Sequence, residues 1–220
     1  MFESRFICIC GLPGIGSVGK VAADYLATAL ECSIIIPFFS RSFPPQVMVS
    51  QGLAELMHAQ LMCPREKKNM LILSGDAQPL DVVGMYELAG NILQAVKEQG
   101  VTDVITLAAY VGETSETIQG TATDLDSAAA LCECKIPLLR SGAIGGLNGL
   151  LAGLAPLYDL RGYCLLATSS GADPVDIRAA TNLLGAIKEL LHLDIDITLM
   201  GPIMEEPEVM GAEEVDMNYR

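Results

Sequence analysis

The residues Gly14-Ile15-Gly16-Ser17-Val18-Gly19-Lys20 form a G-x-G-x-x-G followed by lysine, set between an apolar run and a helix-period segment. In that setting backbone N–H groups and a helix N-terminus can hold a phosphate, with Gly14, Gly16, Ser17 and Gly19 as the anion loop. A dinucleotide fold also wants an acid at the end of the second strand for the ribose hydroxyls. No Asp or Glu occurs between Glu31 and Glu55, although Arg41 could meet a 2′-phosphate, as in an NADP reductase. The same loop nearly spells a Walker motif, with Asp76 after Leu71-Ile72-Leu73 as the second acidic element. Val21, however, stands where a Ser or Thr would bind magnesium. The other reading of the loop is a tight strand-to-helix turn whose glycines permit close packing. Ser169-Ser170-Gly171, also after an apolar run, has the same two readings.

Other chemistry finds little material. Nucleophilic catalysis through a Ser–His or Cys–His pair must use His58 or His192, and His192 suits a helix C-terminus. Glu113, Asp124 and Asp126 could supply paired carboxylates, but two of them stand where helix caps favour acids. The seven cysteines include no C-x-x-C pair, so neither a zinc site nor a disulfide framework is expected. Cys8 and Cys10 alternate along a strand and should share a face as buried, reduced thiols. The expectation is a protein that is not an enzyme and uses no cofactor or metal.

The elements that would position these residues alternate between strand-length apolar runs and helical periodicity. Strands are expected at Phe6–Cys10, Ser33–Phe38, Met70–Ser74, Asp103–Tyr110 and Tyr163–Thr168, with a short extended piece at Ile136–Leu139. Gln46–Ser50 and Leu53–Met62 read as an antiparallel hairpin or meander broken at Gly52, and Arg65-Glu66-Lys67-Lys68 as a solvated turn. One helix follows the glycine loop, burying Val18, Val21, Ala22, Tyr25, Leu26 and Ala29. A second buries Met85, Leu88, Ala89, Ile92, Leu93 and Val96 before Gly100 stops it. Thr123 with Asp126 forms a capping box for a third. Gly146–Leu157 is a small-residue helix in which Gly149 and Gly153 would admit another backbone. Asp173 and Pro174 open the last helix, packed through Ile177, Ala180, Leu184, Ile187 and Leu191. Strands alternating with helices predict an α/β sheet covered on both faces.

With 51% hydrophobic and 18% charged residues, the chain carries more apolar side chains than one globule of this size readily hides, which points to a homo-oligomer or else to an unusually large core, the first being the expectation. A net charge of −14 argues against nucleic acid. The start does not read as a signal peptide, and the uncharged stretch from Ser141 to Tyr158 is too short and glycine-rich to span a membrane. A soluble, cytoplasmic protein is expected. Two regions follow: a domain over residues 1–200 and an acidic tail over 201–220, which holds six acids, one base and two prolines and is expected to be flexible.

Several blocks in order resemble the proteasome-assembly-chaperone family, in particular its archaeal members. They are Gly11 to Leu26; Ser74-Gly75-Asp76-Ala77-Gln78-Pro79; Gly84 with Tyr86-Glu87-Leu88-Ala89; Ala109-Tyr110; Gly142 to Leu151; and Asp173-Pro174 with Asp176. The resemblance implies a three-layer α/β/α fold with a mostly parallel mixed sheet, similar to nucleoside phosphorylases. It also implies homo-oligomeric assembly and binding to the α subunits of the proteasome core, or to its assembly intermediates. Members that engage the proteasome end in hydrophobic–Tyr–any residue. Here the end is Met217-Asn218-Tyr219-Arg220: Tyr219 is penultimate and Arg220 supplies the carboxylate, but Asn218 displaces the apolar residue to Met217. The alternative is an enzyme that binds NADP or a nucleoside or sugar phosphate at the Gly14–Gly19 loop.

Overall fold

The computed structural model describes residues 2, 5–67, 69–112 and 114–200, so the acidic tail and its last four residues lie outside the described residues, as does Glu113. The chain runs β1 (Ile7–Gly11), α1 (Val18–Ala29), β2 (Ser33–Phe38), β3 (Val47–Ser50), β4 (Leu53–Leu56), β5 (Ala59–Cys63) and β6 (Met70–Gly75). It continues through α2 (Val82–Glu98), β7 (Asp103–Tyr110), β8 (Ile118–Ala122), α3 (Leu125–Glu133), α4 (Gly146–Leu154), β9 (Arg161–Thr168) and α5 (Ile177–Leu191).

Seven strands form one mixed sheet in the order β2-β5-β6-β1-β7-β9-β8. The central four, β6, β1, β7 and β9, are parallel, while β5, β2 and β8 run antiparallel to their neighbours. Central parallel strands are buried on both faces, which is why β1 and β6 read as unbroken apolar runs. Successive side chains then serve opposite layers. Ile7 and Ile9 of β1 pack with Ile72, Ile105 and Leu165 under α1, α3 and α5. Cys8 and Cys10 pack with Leu71, Leu73 and Val104 under α2 and α4. The result is the expected three-layer α/β/α fold. The Cys8 and Cys10 thiols share a face with their Sγ atoms 3.6 Å apart; the hydrogen bond with Cys10 and burial hold the Cys8 thiol well above its ordinary range, so it stays protonated. Of the other cysteines, Cys164 is buried and Cys132 is exposed.

At the edge of the sheet, β2 has a bulge between Ile34 and Ile36, and carries Pro37 opposite Gln60. The expected Leu53–Met62 strand divides at Met57-His58. Its first part pairs with β3 as a separate two-stranded sheet whose positions are all exposed, and its second part is β5 in the main sheet. Ala29 is exposed at the last turn of α1 rather than buried.

Three helix boundaries differ from expectation. Thr123 does not cap α3: its hydroxyl accepts from Gly162 N–H at 3.0 Å, and Asp124 caps instead, accepting from Ser127 N–H at 2.8 Å. Asp173 does not cap α5. Asp176 does, because its N–H is held by the Gly16 carbonyl at 2.8 Å while its carboxylate accepts from Ala179 N–H at 2.9 Å. The helix from Gly146 stops at Leu154 and tightens into a 3-10 turn over Ala155–Tyr158 that contains Pro156, a residue without an N–H to continue the ladder.

Where the parallel strands begin, Asp103 is 0% exposed and accepts from Arg161 Nε at 2.8 Å, Arg161 Nη2 at 2.7 Å, Arg5 Nη1 at 2.9 Å and Tyr163 Oη at 3.1 Å. Burial pushes this carboxyl up. The hydrogen bonds from Arg161 and Thr102, with the Arg161 and Arg5 charges, outweigh it and hold the group below the usual carboxylate range.

Candidate functional site

The glycine loop sits where β1 ends, among the C-terminal ends of the parallel strands. Its outer glycines are packing positions. A Cβ on Gly11 would lie 2.0 Å from the Gly19 carbonyl oxygen, and one on Gly19 would lie 2.1 Å from that of Leu107. Backbone therefore touches backbone from β1 to α1 to β7, and no side chain fits between. Gly16 (φ +54°) and Ser17 (φ +47°) both adopt the left-handed region, which swings the chain from strand into helix. Gly16 packs against Asp176, and the Ser17 N–H donates to the Gly14 carbonyl at 3.0 Å.

Two amides hold the loop from the side. Asn148, buried in α4, accepts from Leu12 N–H at 3.1 Å and donates to the Leu12 carbonyl at 3.0 Å. Gln78 donates to the Pro13 carbonyl and accepts from Leu147 N–H at 2.6 Å. Beside them opens a cleft of about 450 Å³. Gly14, Ile15, Gly19, Gln78, Tyr110 and Ile144 line part of it, and none of its lining residues carries a charge. The structure thus brings Gly14 and Gly19 to one cleft, but packs Gly16 against the Cβ and backbone N–H of Asp176.

Cations that a phosphate would want are committed elsewhere or absent from this lining. Lys20 Nζ pairs with Asp24 at 2.7 Å, and Asp24 in turn accepts from Ser74. Arg41 is exposed in the loop after β2. Asp76, the acid of the near-Walker pattern, accepts from the His58 N–H at 3.0 Å and lies 3.4 Å from His58 Nδ1. An anion held in the cleft would rely on backbone N–H groups and neutral amides alone.

A second, polar cleft of about 560 Å³ lies between the β9–α5 connection and the segment before β8, lined in part by Ser169, Ser170, Asp176 and Arg178. Ser169 donates to Asp176 at 2.7 Å and accepts from Gly171 N–H at 3.1 Å, so this serine braces the turn that presents the α5 cap. The roles of Gln78 and Asn148 were not anticipated. A signal existed for the latter: Asn148 is the one polar side chain in the α4 sequence GLNGLLAGL.

The comparisons agree with this architecture. The PAC2 family profile matches residues 8–214. An uncharacterized protein of Methanocaldococcus jannaschii is 34% identical over 197 residues, covering 87% of this chain and 76% of that protein. The crystal structure of Pyrococcus furiosus PbaB, an archaeal proteasome activator, superposes with a TM-score of 0.78 at 31% identity, over 91% of this chain and 90% of PbaB. Pyrococcus furiosus PbaA, an archaeal homolog of proteasome-assembly chaperone, gives a TM-score of 0.77 at 27% identity, over 89% of this chain and 85% of PbaA. With a profile match over most of its length and a relative of more than 30% identity, the chain belongs to the PAC2 family.

Proposed function

We propose that this chain is a non-catalytic, homo-oligomeric cytoplasmic protein that binds the proteasome core particle or its assembly intermediates, docking through its C-terminal residues. The observation that carries this reading is the likeness to PbaB, 31% identical over nine-tenths of both chains. The geometry of the glycine loop is consistent with it, since Gly11 and Gly19 serve packing and the adjoining cleft has an uncharged lining.

The tail chemistry suits docking. Residues 205–216 hold six acids, which a basic pocket on an α-subunit ring would attract. The Arg220 carboxylate would pair with a lysine there, and the Tyr219 ring would bury apolar area at small entropic cost. One such contact is weak; several on one oligomer gain through effective concentration. Deleting Asn218–Arg220 from the full chain should abolish co-purification with proteasome core particles while the thermal midpoint stays unchanged. Equal capture by the truncated chain would refute tail docking.

A further inference from the structure

We propose that the four uncharged residues Gly201-Pro202-Ile203-Met204, which follow the described part of the chain, fold back into the groove between α5 and β8. The acidic residues beyond them then leave the body from a fixed point.

The groove is about 460 Å³ and is lined in part by Ile118 of β8, Ile136 and Pro137 after α3, and Gly185 and Ala186 of α5. Gly185 and Ala186 carry little or no side chain, so α5 is shallow where it faces this border of the sheet. Ile118, Cys134 and Ile197 pack against the core here but are only partly buried. The groove is therefore an unfinished edge of the layer that holds α1, α3 and α5.

The path of the chain identifies the occupant. Ile197 lines the groove, and its Cδ1 lies 3.9 Å from where a Cβ on Gly185 would be. Met200 is buried, with its Sδ 3.5 Å from Oγ1 of Thr181, which also lines the groove. Gly185 and Thr181 are about one helical turn apart, ~5.4 Å, so residues 197–200 run along the α5 wall. Gly201-Pro202 is a turn-forming pair. With the chain reversed there, two extended residues span about 7 Å, which returns Ile203 and Met204 over Gly185 and Ala186.

Composition selects the same four residues. Ile203 and Met204 are apolar, whereas Glu205 and Glu206 open the acidic run. The charged lining residues are two acids, Glu116 and Glu189, and one base, Lys135. That balance disfavours the acidic run and leaves the neutral segment as the part that fits. Tethered at Met200, the segment meets the groove at an effective concentration that a free peptide does not reach. The PAC2 profile continues past Met200 to residue 214, so the segment lies within the length matched to the family. Residues 205–220 stay outside the groove, available for the contact proposed above, on which this inference does not depend.

Cys134 lines the groove and can report on its occupant. The test uses the full chain with the exposed Cys132 replaced by serine. Diamide, which takes up the two thiol hydrogens, should join Ile203→Cys or Met204→Cys to Cys134 within one chain. At least one of them should react tenfold faster than Val215→Cys, with the bridge identified by peptide mass. Equal rates at all three positions would overturn the proposal. So would a bridge between two chains, which would mean that the groove takes the segment of another copy. Digestion of the wild type by a glutamate-specific protease gives an independent reading. Cleavage after Glu205 should lag cleavage after Glu213 about tenfold. Ala186→Glu, at a partly buried helix position, should remove the lag without changing the thermal midpoint. A wild type without the lag, or a lag that survives Ala186→Glu, would sink the idea.

Discussion

The two ends of the parallel strands are built on opposite principles. Where the strands begin, a carboxylate without solvent exposure is satisfied by two arginines, a tyrosine and a threonine. Where they finish, no charged residue lines the cleft beside the glycine loop. Gly11 and Gly19 let three backbone segments touch, and neutral amides from Gln78 and Asn148 strap the loop beside an uncharged cleft. The first end spends polar chemistry on holding strands together. The second leaves an open concavity, but one whose supports are used up in the fold itself. A glycine-rich loop after a first strand is therefore not evidence of a ligand until its contacts are known.

The contrast can be broken most severely at Gly19. Gly19→Ala sets a Cβ against the Leu107 carbonyl, so α1 or β7 must move. Such overpacking against rigid backbone should cost about 3 kcal/mol or more, lowering the thermal midpoint by about 10 °C. A midpoint within a degree of wild type would show that the loop is slack. Next comes the opposite end. Asp103→Asn leaves Arg5 and Arg161 without their counter-charge. Breaking a buried pair costs about 3–5 kcal/mol, and the arginines' partial exposure, 22% and 42%, reduces the expectation to about 2 kcal/mol.

The pH dependence follows from the same group. Because the folded Asp103 carboxyl lies below its unfolded value, its stabilisation is present above roughly pH 4 and is lost as pH falls through the folded value. Urea unfolding from pH 7 to pH 3 should show a shallower acid-side loss for Asp103→Asn than for wild type; equal slopes would mean another carboxylate governs acid unfolding. The smallest effect has the opposite sign. Gly153 meets open space within α4, so Gly153→Ala should raise stability by up to about 1 kcal/mol through helix propensity. Destabilisation there would extend close backbone packing along the whole helix, contrary to the difference drawn between Gly19 and Gly153.

Much of the fold was legible because burial on two faces writes itself as apolar runs: β1, β2, β6, β7 and β9 were all expected within a residue or two. Strand β8 was not, since Ile118-Gln119-Gly120-Thr121-Ala122 has little apolar pattern of its own and is set by pairing with β9. Helix starts failed for a related reason. Asp124 and Asp176 win over Thr123 and Asp173 through bonds to residues far away in sequence, Gly162 and Gly16. The loop's spacing fits an anion cradle and a packing turn equally well; what favours the second is the distance from Gly19 to Leu107, which no local pattern contains. Met217 to Arg220 lie outside the described residues and stand as candidates only through the family resemblance.

The outermost strand β2 combines an irregular register at Ile34–Ile36 with Pro37, which offers no N–H to a newcomer. Such a border is a poor template for the addition of a further strand.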